Sequence, residues 1–287
     1  MPPRKPSPVG AHVFVAGGLA TAGLRYADAI GAEALQVFVS NPRGWAVPAS
    51  DAAADESFGS TCVDRKLPVY VHAPYLVNFA SPTDATREKS AAAVRHSLLR
   101  GRRICAGGVV VHAGSAVDGA HRELALKLMH EQLMPILDAL DDDDPLVLVE
   151  PTAGGGVPVA ATVTDLGPLF EALEWHPRLG VCLDTCHAFA AGHDLSAPGG
   201  VRSLLNTLVR VVGRDRLKLI HANDSKDPLG SGRDRHTNLG SGQIGSESLA
   251  ELFRHPATRG VPIVIETPGP VDAHLRDLAT LRALRDR

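Results

Sequence analysis

The chain has 287 residues, of which 44% are hydrophobic and 21% are charged, with a formal net charge of −3. This composition supports a full hydrophobic core and excludes a disordered or coiled-coil protein. No apolar run reaches the roughly 18 residues of a membrane span, and the slight negative charge gives no indication of nucleic-acid binding.

The N-terminal segment MPPRKPSPVG is rich in proline and basic residues, and it lacks the apolar stretch of a signal peptide. We therefore expect residues 1–10 to form a disordered arm. No linker or change of composition divides the remainder, so residues 11–287 are expected to form one domain. The four cysteines are scattered unevenly and do not indicate a secreted disulfide scaffold, which favours a cytoplasmic location.

Short runs rich in Val, Leu and Ile alternate with amphipathic stretches along the chain. The predicted strands are 12–15, 34–39, 67–72, 108–112, 146–150, 179–184, 217–221 and 262–266. The predicted helices between them include 84–103, 118–140, 165–174, 200–213 and 247–254. The strands show no clean polar alternation, as expected for parallel strands that are covered on both faces.

Eight strands alternating with helices predict the α/β class and a (β/α)8 TIM barrel. A doubly wound open sheet is the alternative, but no glycine fingerprint of a dinucleotide site follows the first strand. Nucleophile-elbow and P-loop signatures are also missing from the sequence, so we expect no nucleotide cofactor.

Imidazoles and carboxylates end six consecutive predicted strands, from the third to the eighth. Because functional groups gather at the carboxyl ends of barrel strands, these side chains should converge on one rim. Three more candidates follow the sixth and seventh strands. The nine candidate metal ligands are His72, His112, Glu150, Asp184, His187, His221, Asp234, His236 and Glu266.

A single histidine or glutamate at a strand end is more often a satisfied polar residue than a ligand. Six in succession are improbable as independent accidents, and carboxylates crowded on one rim would repel each other without cations. Nitrogen with carboxylate ligation suits zinc or manganese. Nine ligands exceed the needs of one ion, so the sequence predicts two or three metal ions.

The other candidates carry less weight. Cys182 and Cys186 lack the spacing of a structural zinc knuckle and are interpreted as buried thiols. His12, at the start of the first predicted strand, is a candidate neighbour of the metal ligands. Most remaining histidines lie on predicted helices or loops and are interpreted as structural. The glycines of segment 230–245 leave open a phosphate cradle of backbone N–H groups.

With these residues in place, the chain resembles the endonuclease IV family of apurinic/apyrimidinic endonucleases. The resemblance extends over nearly the whole chain, and its blocks fall at the predicted strand ends in the expected order. The blocks are HVFVAGGLATA (12–22), FVSNPRGW (38–45), VHAPYLVN (71–78), VVHAGS (110–115), EPTAGGG (150–156), LDTCHAFAAGHD (183–194), HANDSK (221–226), DRHTNLGSGQIG (234–245) and IVIETP (263–268).

The family resemblance implies a barrel with three metal ions, usually zinc, with manganese possible at one or more sites. Such an enzyme cuts DNA 5′ to an abasic site and leaves a 3′-OH and a 5′-deoxyribose phosphate. Glu150 and Glu266 are the implied catalytic residues. By similarity, the ligand sets are His72, His112 and Glu150 for the first ion, Glu150, Asp184, His221 and Glu266 for the second, and His187, Asp234 and His236 for the third.

The partner implied by the resemblance is double-stranded DNA with an abasic site, probed by Arg43, Tyr75 and Leu76. Without the resemblance these three residues would be interpreted as ordinary loop residues. Three divalent ions would add +6 to the chain's −3 and give +3, so the acidic composition does not oppose phosphate binding. A cytoplasmic monomer, nucleoid-associated in a bacterium and without membrane contact, completes the expectation.

The chain departs from the family pattern at Ala113, Pro151, Gly155 and Ser241, where proline, threonine, glutamine and an acidic residue are common. None of these is an expected ligand, so the departures concern loop geometry and damage preference. Two alternatives stay open. One is a metal-dependent sugar isomerase or epimerase on a related barrel, which would leave the third ligand set without a role. The other is a non-catalytic protein that binds damaged DNA.

Overall fold

The computed structural model describes residues 6–49 and 51–287, and its centre is a closed barrel of eight parallel strands. The barrel strands are Val9–His12 (β1), Leu35–Val37 (β2), Val69–His72 (β3), Gly108–His112 (β4), Leu146–Glu150 (β5), Leu179–Asp184 (β6), Leu217–His221 (β7) and Ile263–Ile265 (β10). Within the barrel, β1 pairs with β2 on one side and with β10, the last strand, on the other, which closes the sheet.

Two further strands form a small antiparallel hairpin after β7, Asp224–Ser225 (β8) and His236–Thr237 (β9). Helices surround the barrel. They are Leu24–Ile30 (α1), Ala52–Asp64 (α2), Asp84–Arg103 (α3), Arg122–Leu137 (α4), Leu166–Ala172 (α5), Thr185–Ala190 (α6), Gly200–Val212 (α7), Glu251–Arg254 (α8) and Val271–Arg285 (α9). In the part of the chain that the structure describes, no helix has the length and apolar character to cross a membrane.

The ends of several helices follow from local sequence. The Asp51 side chain accepts a hydrogen bond from the Ala54 N–H at 3.2 Å and so caps the start of α2. Gly31 ends α1 in the left-handed conformation, with φ of 64°, which glycine adopts without a steric penalty. These ends direct the chain from helix to strand within a few residues.

The core has two layers because alternate strand residues face opposite sides. In β4, Val109 and Val111 face the helices and belong to the large outer core, whereas Val110 belongs to a separate apolar cluster inside the barrel. Both faces of each strand are therefore apolar. This arrangement explains why the strand sequences lack polar alternation.

The first strand lies three residues earlier than predicted, at Val9–His12 instead of 12–15. Val9 and Ala11 are fully buried and pair with β10, whereas Phe14 is 60% exposed and lies in the loop that follows. The alternating apolar residues continue past the end of the strand, so the sequence pattern alone does not show which of these residues form it.

The predicted N-terminal arm is also too long. Residues 1–5 lie outside the described residues. Ser7 is buried, and its hydroxyl donates to the Thr258 carbonyl oxygen at 2.6 Å, while Val9 and Gly10 belong to β1. The ordered domain therefore begins before residue 11.

Candidate metal centre

The site is built on the period of two that every strand imposes on its side chains. Seven side chains that point into the barrel form an apolar cluster beneath the site. They are Ala34, Tyr70, Val110, Leu148, Cys182, Leu219 and Val264. Two residues further along the chain, each strand places a polar residue on the same inward face, namely Gln36, His72, His112, Glu150, Asp184, His221 and Glu266. Six of the nine predicted ligands thus arise from one layer of the barrel.

The first strand follows the same rule with Gly10 and His12. A Cβ atom at Gly10 would lie 1.7 Å from the carbonyl oxygen of Ala34, so only glycine fits in the apolar layer there. His12 reaches the polar layer, and its Nδ1 lies 3.4 Å from Glu266 Oε1. The prediction that His12 is a neighbour of the ligands is confirmed.

Three groups of ligand atoms lie close together at this rim. In the first group, Glu150 Oε2 lies 3.5 Å from His72 Nε2 and 3.8 Å from His112 Nε2. Both histidines end neighbouring strands, and Glu150 ends the next strand along the barrel. The predicted first ligand set is therefore assembled in space.

The second group surrounds His221 Nδ1. This nitrogen lies 3.3 Å from Glu150 Oε1, 3.1 Å from Glu266 Oε2 and 3.7 Å from Asp184 Oδ2. All four residues belong to one cluster whose ligand atoms lie within 4.8 Å of one another. Because Glu150 contributes one oxygen here and the other oxygen to the first group, its carboxylate joins the two groups.

The third group comprises His187, Asp234 and His236. Asp234 lies between the two imidazoles, with Oδ2 3.1 Å from His187 Nε2 and Oδ1 3.0 Å from His236 Nε2. His236 Nε2 also lies 3.5 Å from Asp184 Oδ2, which connects this group to the second. The structure thus brings all nine predicted ligands together.

The three groups fit metal ions. Ligand atoms about 2.0–2.2 Å from a tetrahedral zinc ion lie roughly 3.4 Å apart. The histidine–carboxylate pairs within the groups have nitrogen–oxygen separations of 3.0–3.8 Å, and all ligand atoms of each group lie within 4.8 Å of one another. Among the described residues, several buried atoms of these groups make no hydrogen bond, although each lies 3.0–3.5 Å from an atom of another candidate ligand. They are Glu150 Oε2, His187 Nδ1, His187 Nε2 and His236 Nε2. Buried polar atoms without partners are costly unless a cation binds them.

Three carboxylates of the centre, those of Glu150, Glu266 and Asp234, are held in the charged form. Burial alone would raise the pKa of Glu150, but His221 and its other imidazole neighbours hold that pKa well below the ordinary value. Burial likewise opposes ionisation of Glu266, and His221 and His12 outweigh it, so its pKa is also well below normal. Asp234 has a lowered pKa for the same reason, through His187 and His236. Negative charge therefore persists at this rim at neutral pH.

The nearby negative charge raises the pKa values of the imidazoles in the second and third groups. Burial would lower the pKa of His236, but Asp184 and Asp234 raise it to about 9. His187 and His221 also have pKa values well above normal, because nearby acidic groups outweigh burial. In contrast, burial lowers the pKa of His112 to about 4. Because the pKa values of His187, His221 and His236 are raised, a metal ion that binds these histidines would have to displace protons.

Asp184 is fixed by hydrogen bonds from two directions. As the cap of α6, its Oδ1 accepts from the His187 N–H at 2.9 Å, and its Oδ2 accepts from Asn223 Nδ2 at 2.7 Å. The Asn223 side-chain oxygen accepts from the Glu266 N–H at 2.8 Å. Asn223 therefore ties β6, β7 and β10 together at the rim. Sequence reasoning missed this role, because an amide between two ligand strands resembles any buried asparagine.

The Gly-rich loop closes around an internal carboxylate. Asp224 is fully buried and accepts hydrogen bonds from the backbone N–H groups of Ser225, Gly240, Gly242, Ile244 and Gly245. A Cβ atom at Gly242 would lie 2.5 Å from Asp224 Oδ1, which explains the glycine. The phosphate cradle that the sequence left open is therefore not available at these N–H groups, because a protein carboxylate occupies them.

The same loop positions the third group. Asp224 pairs with Thr237, and Ser225 pairs with His236, in the hairpin of β8 and β9. The neighbouring Arg235 makes a bidentate ion pair with Asp227. Loop closure at Asp224 and this hairpin together set where the side chains of segment 234–236 point.

The predicted DNA-contact residues lie on the rim around the centre. Arg43 and Tyr75 line a pocket of about 400 Å³ together with six of the candidate ligands. The Tyr75 ring stacks against the His112 ring, with 5.7 Å between the ring centroids. The backbone N–H of Tyr75 donates to the Pro42 carbonyl oxygen at 2.9 Å. Tyr75 and Leu76 are 44% and 37% exposed, and Leu76 lines an adjoining pocket of about 240 Å³.

Cys182 and Cys186, which the sequence analysis interpreted as buried thiols and not as metal ligands, are fully buried. Cys182 lies beside Glu150 and His221, and Cys186 lies beside Asp184 and His236. Burial raises the pKa of each thiol to about 12. Because the thiolate is the metal-binding form, this rise in pKa disfavours both thiols as ligands relative to the imidazoles and carboxylates.

The chain is similar to known proteins over nearly its whole length. A family model described as a xylose isomerase-like TIM barrel matches residues 24–284. The probable endonuclease 4 of Streptomyces avermitilis is 57% identical over 281 residues, which cover 98% of this chain and 91% of that protein.

Solved structures give the same picture. The crystal structure of endonuclease IV from Thermus thermophilus superposes with a TM-score of 0.84 at 34% identity and covers 99% of both chains. A D-tagatose 3-epimerase-like protein superposes with a TM-score of 0.75 at 15% identity and covers 97% of both chains. The second likeness shows a shared fold alone.

Proposed function

The chain belongs to the endonuclease IV family, and from this premise we propose that it is a DNA-repair endonuclease that hydrolyses the phosphodiester 5′ to an abasic site at a three-metal centre. The observation that carries the proposal is the third group, His187, Asp234 and His236, which lies against the second group through Asp184. The products would be a 3′-OH and a 5′-deoxyribose phosphate.

The third group also argues against a sugar isomerase or epimerase. The likeness to an epimerase-like protein concerns the fold, and the isomerase-type site needs one or two metal ions. In this chain a complete third set of ligand atoms would have no purpose in such a reaction. A three-metal nuclease uses every member of the centre.

We assign each ion to one group. The first would be bound by His72, His112 and Glu150, the second by Glu150, Asp184, His221 and Glu266, and the third by His187, Asp234 and His236. Imidazole with carboxylate favours zinc, with manganese as the alternative. Bound divalent ions would lower the pKa of an attacking water and neutralise charge on the phosphate oxygens.

The protein's contribution is to hold these groups in fixed positions. Glu150 is fully buried, and its two oxygens face different groups, so its carboxylate would bridge the first two ions. Asp184 Oδ2 lies between His221 and His236, which places the second and third groups side by side.

Residues on the rim of the barrel would make the enzyme selective for abasic sites. A sugar without a base is the easiest nucleotide to turn out of the duplex, because little stacking is lost. Tyr75 and Leu76 are exposed beside the pocket, and the stacking of Tyr75 on His112 holds its ring in place. We propose that these two residues enter the duplex as wedges and that Arg43 contacts the strand at the gap. The enzyme would act as a monomer on double-stranded DNA.

The test is incubation of the purified protein with a duplex that carries one abasic-site analogue at a defined position. The expected product is a single nick on the 5′ side of the lesion, with no cleavage of an undamaged duplex of the same sequence. Metal content is measured on the same sample. A fully metallated protein that leaves the abasic duplex uncut would overturn the proposal and favour a non-catalytic damage-binding protein.

A further inference from the structure

Gln36 differs from the six ligands of the polar layer in being neither a histidine nor a carboxylate. It follows Ala34 by two residues on β2, and it is fully buried. Its carboxamide contacts three neighbours on three different strands or strand ends. Oε1 lies 2.8 Å from His221 Nε2, while Nε2 lies 2.6 Å from Glu266 Oε1 and 2.9 Å from His12 Nδ1.

The orientation of this carboxamide follows from Glu266. An ionised carboxylate only accepts hydrogen bonds, so the Gln36 atom at 2.6 Å must be the NH2 group. The reversed amide would place two oxygens against each other at that distance. Gln36 Oε1 therefore faces His221, where it can only accept a hydrogen bond.

The tautomer of His221 follows in turn. Because Gln36 Oε1 accepts from Nε2, that nitrogen must carry the proton. A neutral His221 then has its lone pair on Nδ1. This is the atom that lies 3.1 Å from Glu266 Oε2 and 3.3 Å from Glu150 Oε1, in the second group.

The same contacts divide the two oxygens of Glu266. Oε1 is engaged by Gln36, and Oε2 faces His221 Nδ1. On the other side, the second N–H of Gln36 faces His12 Nδ1, and His12 is paired with Gln36 across β1 and β2. One uncharged side chain thus directs two ligands, at the ends of β7 and β10.

We propose that Gln36 is a positioning residue that presents His221 Nδ1 and Glu266 Oε2 to the second metal position and so sets the metal affinity of that position. This rests on the proposed three-metal centre. The partners that orient metal-bound histidines are typically worth about 10–100-fold in metal affinity. The hydrogen bonds described for residues 6–49 and 51–287 include none from the Gln36 carboxamide to the first or third group, so the affinities of those positions should not change.

Two substitutions separate the two contacts. Gln36→Met has a similar length and removes both the acceptor for His221 and the donor for Glu266. Gln36→Glu keeps an acceptor for His221 but loses the donor to Glu266. Gln132→Met, on α4 and outside the centre, is the matched control. Each protein is stripped of metal, titrated with zinc against competing chelators, and compared for fold by circular dichroism.

We expect Gln36→Met to weaken one of three zinc sites by about 10–100-fold. Gln36→Glu should weaken the same site, because a carboxylate oxygen would face Glu266 in place of the lost donor, and Gln132→Met should match the wild type. Three wild-type affinities in a folded Gln36→Met protein would overturn the proposal. A second measurement does not depend on any variant. Long-range ¹H–¹⁵N spectra of the zinc-loaded wild type should show His221 protonated on Nε2, and a His221 protonated on Nδ1 would contradict the proposal.

These outcomes are distinct from a failure of the proposed function. Zinc affinity and the His221 tautomer are measured without DNA. A wild type that binds zinc as expected but leaves abasic duplexes uncut would refute the nuclease proposal and leave the role of Gln36 intact. A wild type that cuts these duplexes, with zinc affinities unaffected by Gln36→Met, would refute the role of Gln36 alone.

Discussion

Asp184 and His187 are joined by a hydrogen bond from the His187 N–H to Asp184 Oδ1 at 2.9 Å, which caps α6 directly after β6. This single turn places one ligand in the second group and one in the third. Because a cap fixes both the last strand residue and the first helical turn, the two groups keep a constant relation to each other. The centre therefore behaves as one unit, and changes in one ligand should alter metal content and cleavage together.

Glu266→Gln should reduce cleavage of an abasic duplex by about 100-fold or more. The substitution keeps the shape but removes the charge that faces His221 Nδ1, and even residues that only orient ligands are worth about 10–100-fold. Glu247→Gln, an exposed residue outside the centre, is the control. The measurement is single-turnover cleavage with circular dichroism of both variants. Near-normal cleavage by Glu266→Gln would contradict its role as a ligand.

His236→Ala should lower the metal content from three ions to two and slow cleavage. Asp234 would keep His187 as its partner, but the third group would lose one of its three ligands. His130→Ala, which removes a half-buried histidine on α4 outside the centre, serves as the control. Metal is measured by elemental analysis after gel filtration. Unchanged metal content would indicate a two-metal site of the isomerase type.

Asp224→Asn should destabilise the protein by about 3 kcal/mol or more, since several buried N–H groups lose a charged acceptor. Segment 238–245 should also become sensitive to proteases. Urea unfolding and limited proteolysis test both effects, with the exposed Asp215→Asn as the control. A variant as stable as the wild type would show that the loop does not depend on this carboxylate.

The metal-free protein should lose stability as pH rises from about 6.5 to about 9. The pKa of His236 is raised from 6.5 to about 9 by Asp184 and Asp234, despite burial. A raised folded-state pKa contributes stability that is complete below the unfolded value and lost as pH rises through the folded value. Urea midpoints of chelated protein at several pH values measure the loss. The same decline in His236→Gln would show that another group is responsible.

Much of the fold and the site could be predicted from the sequence, because the signals were local. Each barrel strand is a compact apolar run, and a candidate ligand such as His112 or Glu150 stands at the end of six of the eight. The residues that position the candidate ligands were harder to predict from the sequence. Gln36 and Asn223 are amides, which do not bind metals strongly, and their roles depend on contacts between strands that are distant in sequence.

Long-range contacts also account for the errors. The glycines of segment 240–245 were open to interpretation as a phosphate site, because their N–H groups meet Asp224 only when the loop folds back. The first strand was misplaced because VGAHVFV is apolar on both sides of His12, and pairing with β10 decides which half is the strand. Local patterns predicted which residues meet, whereas tertiary contacts decide how they are held.

The central claim is that nine residues form one three-metal centre. Anomalous diffraction at the zinc absorption edge, from crystals of zinc-loaded protein, tests it directly. The account predicts three anomalous peaks at the carboxyl end of the barrel, one beside His72, one beside His221 and one between His187 and His236. Two peaks, with Asp234 and His236 free of metal, would contradict it.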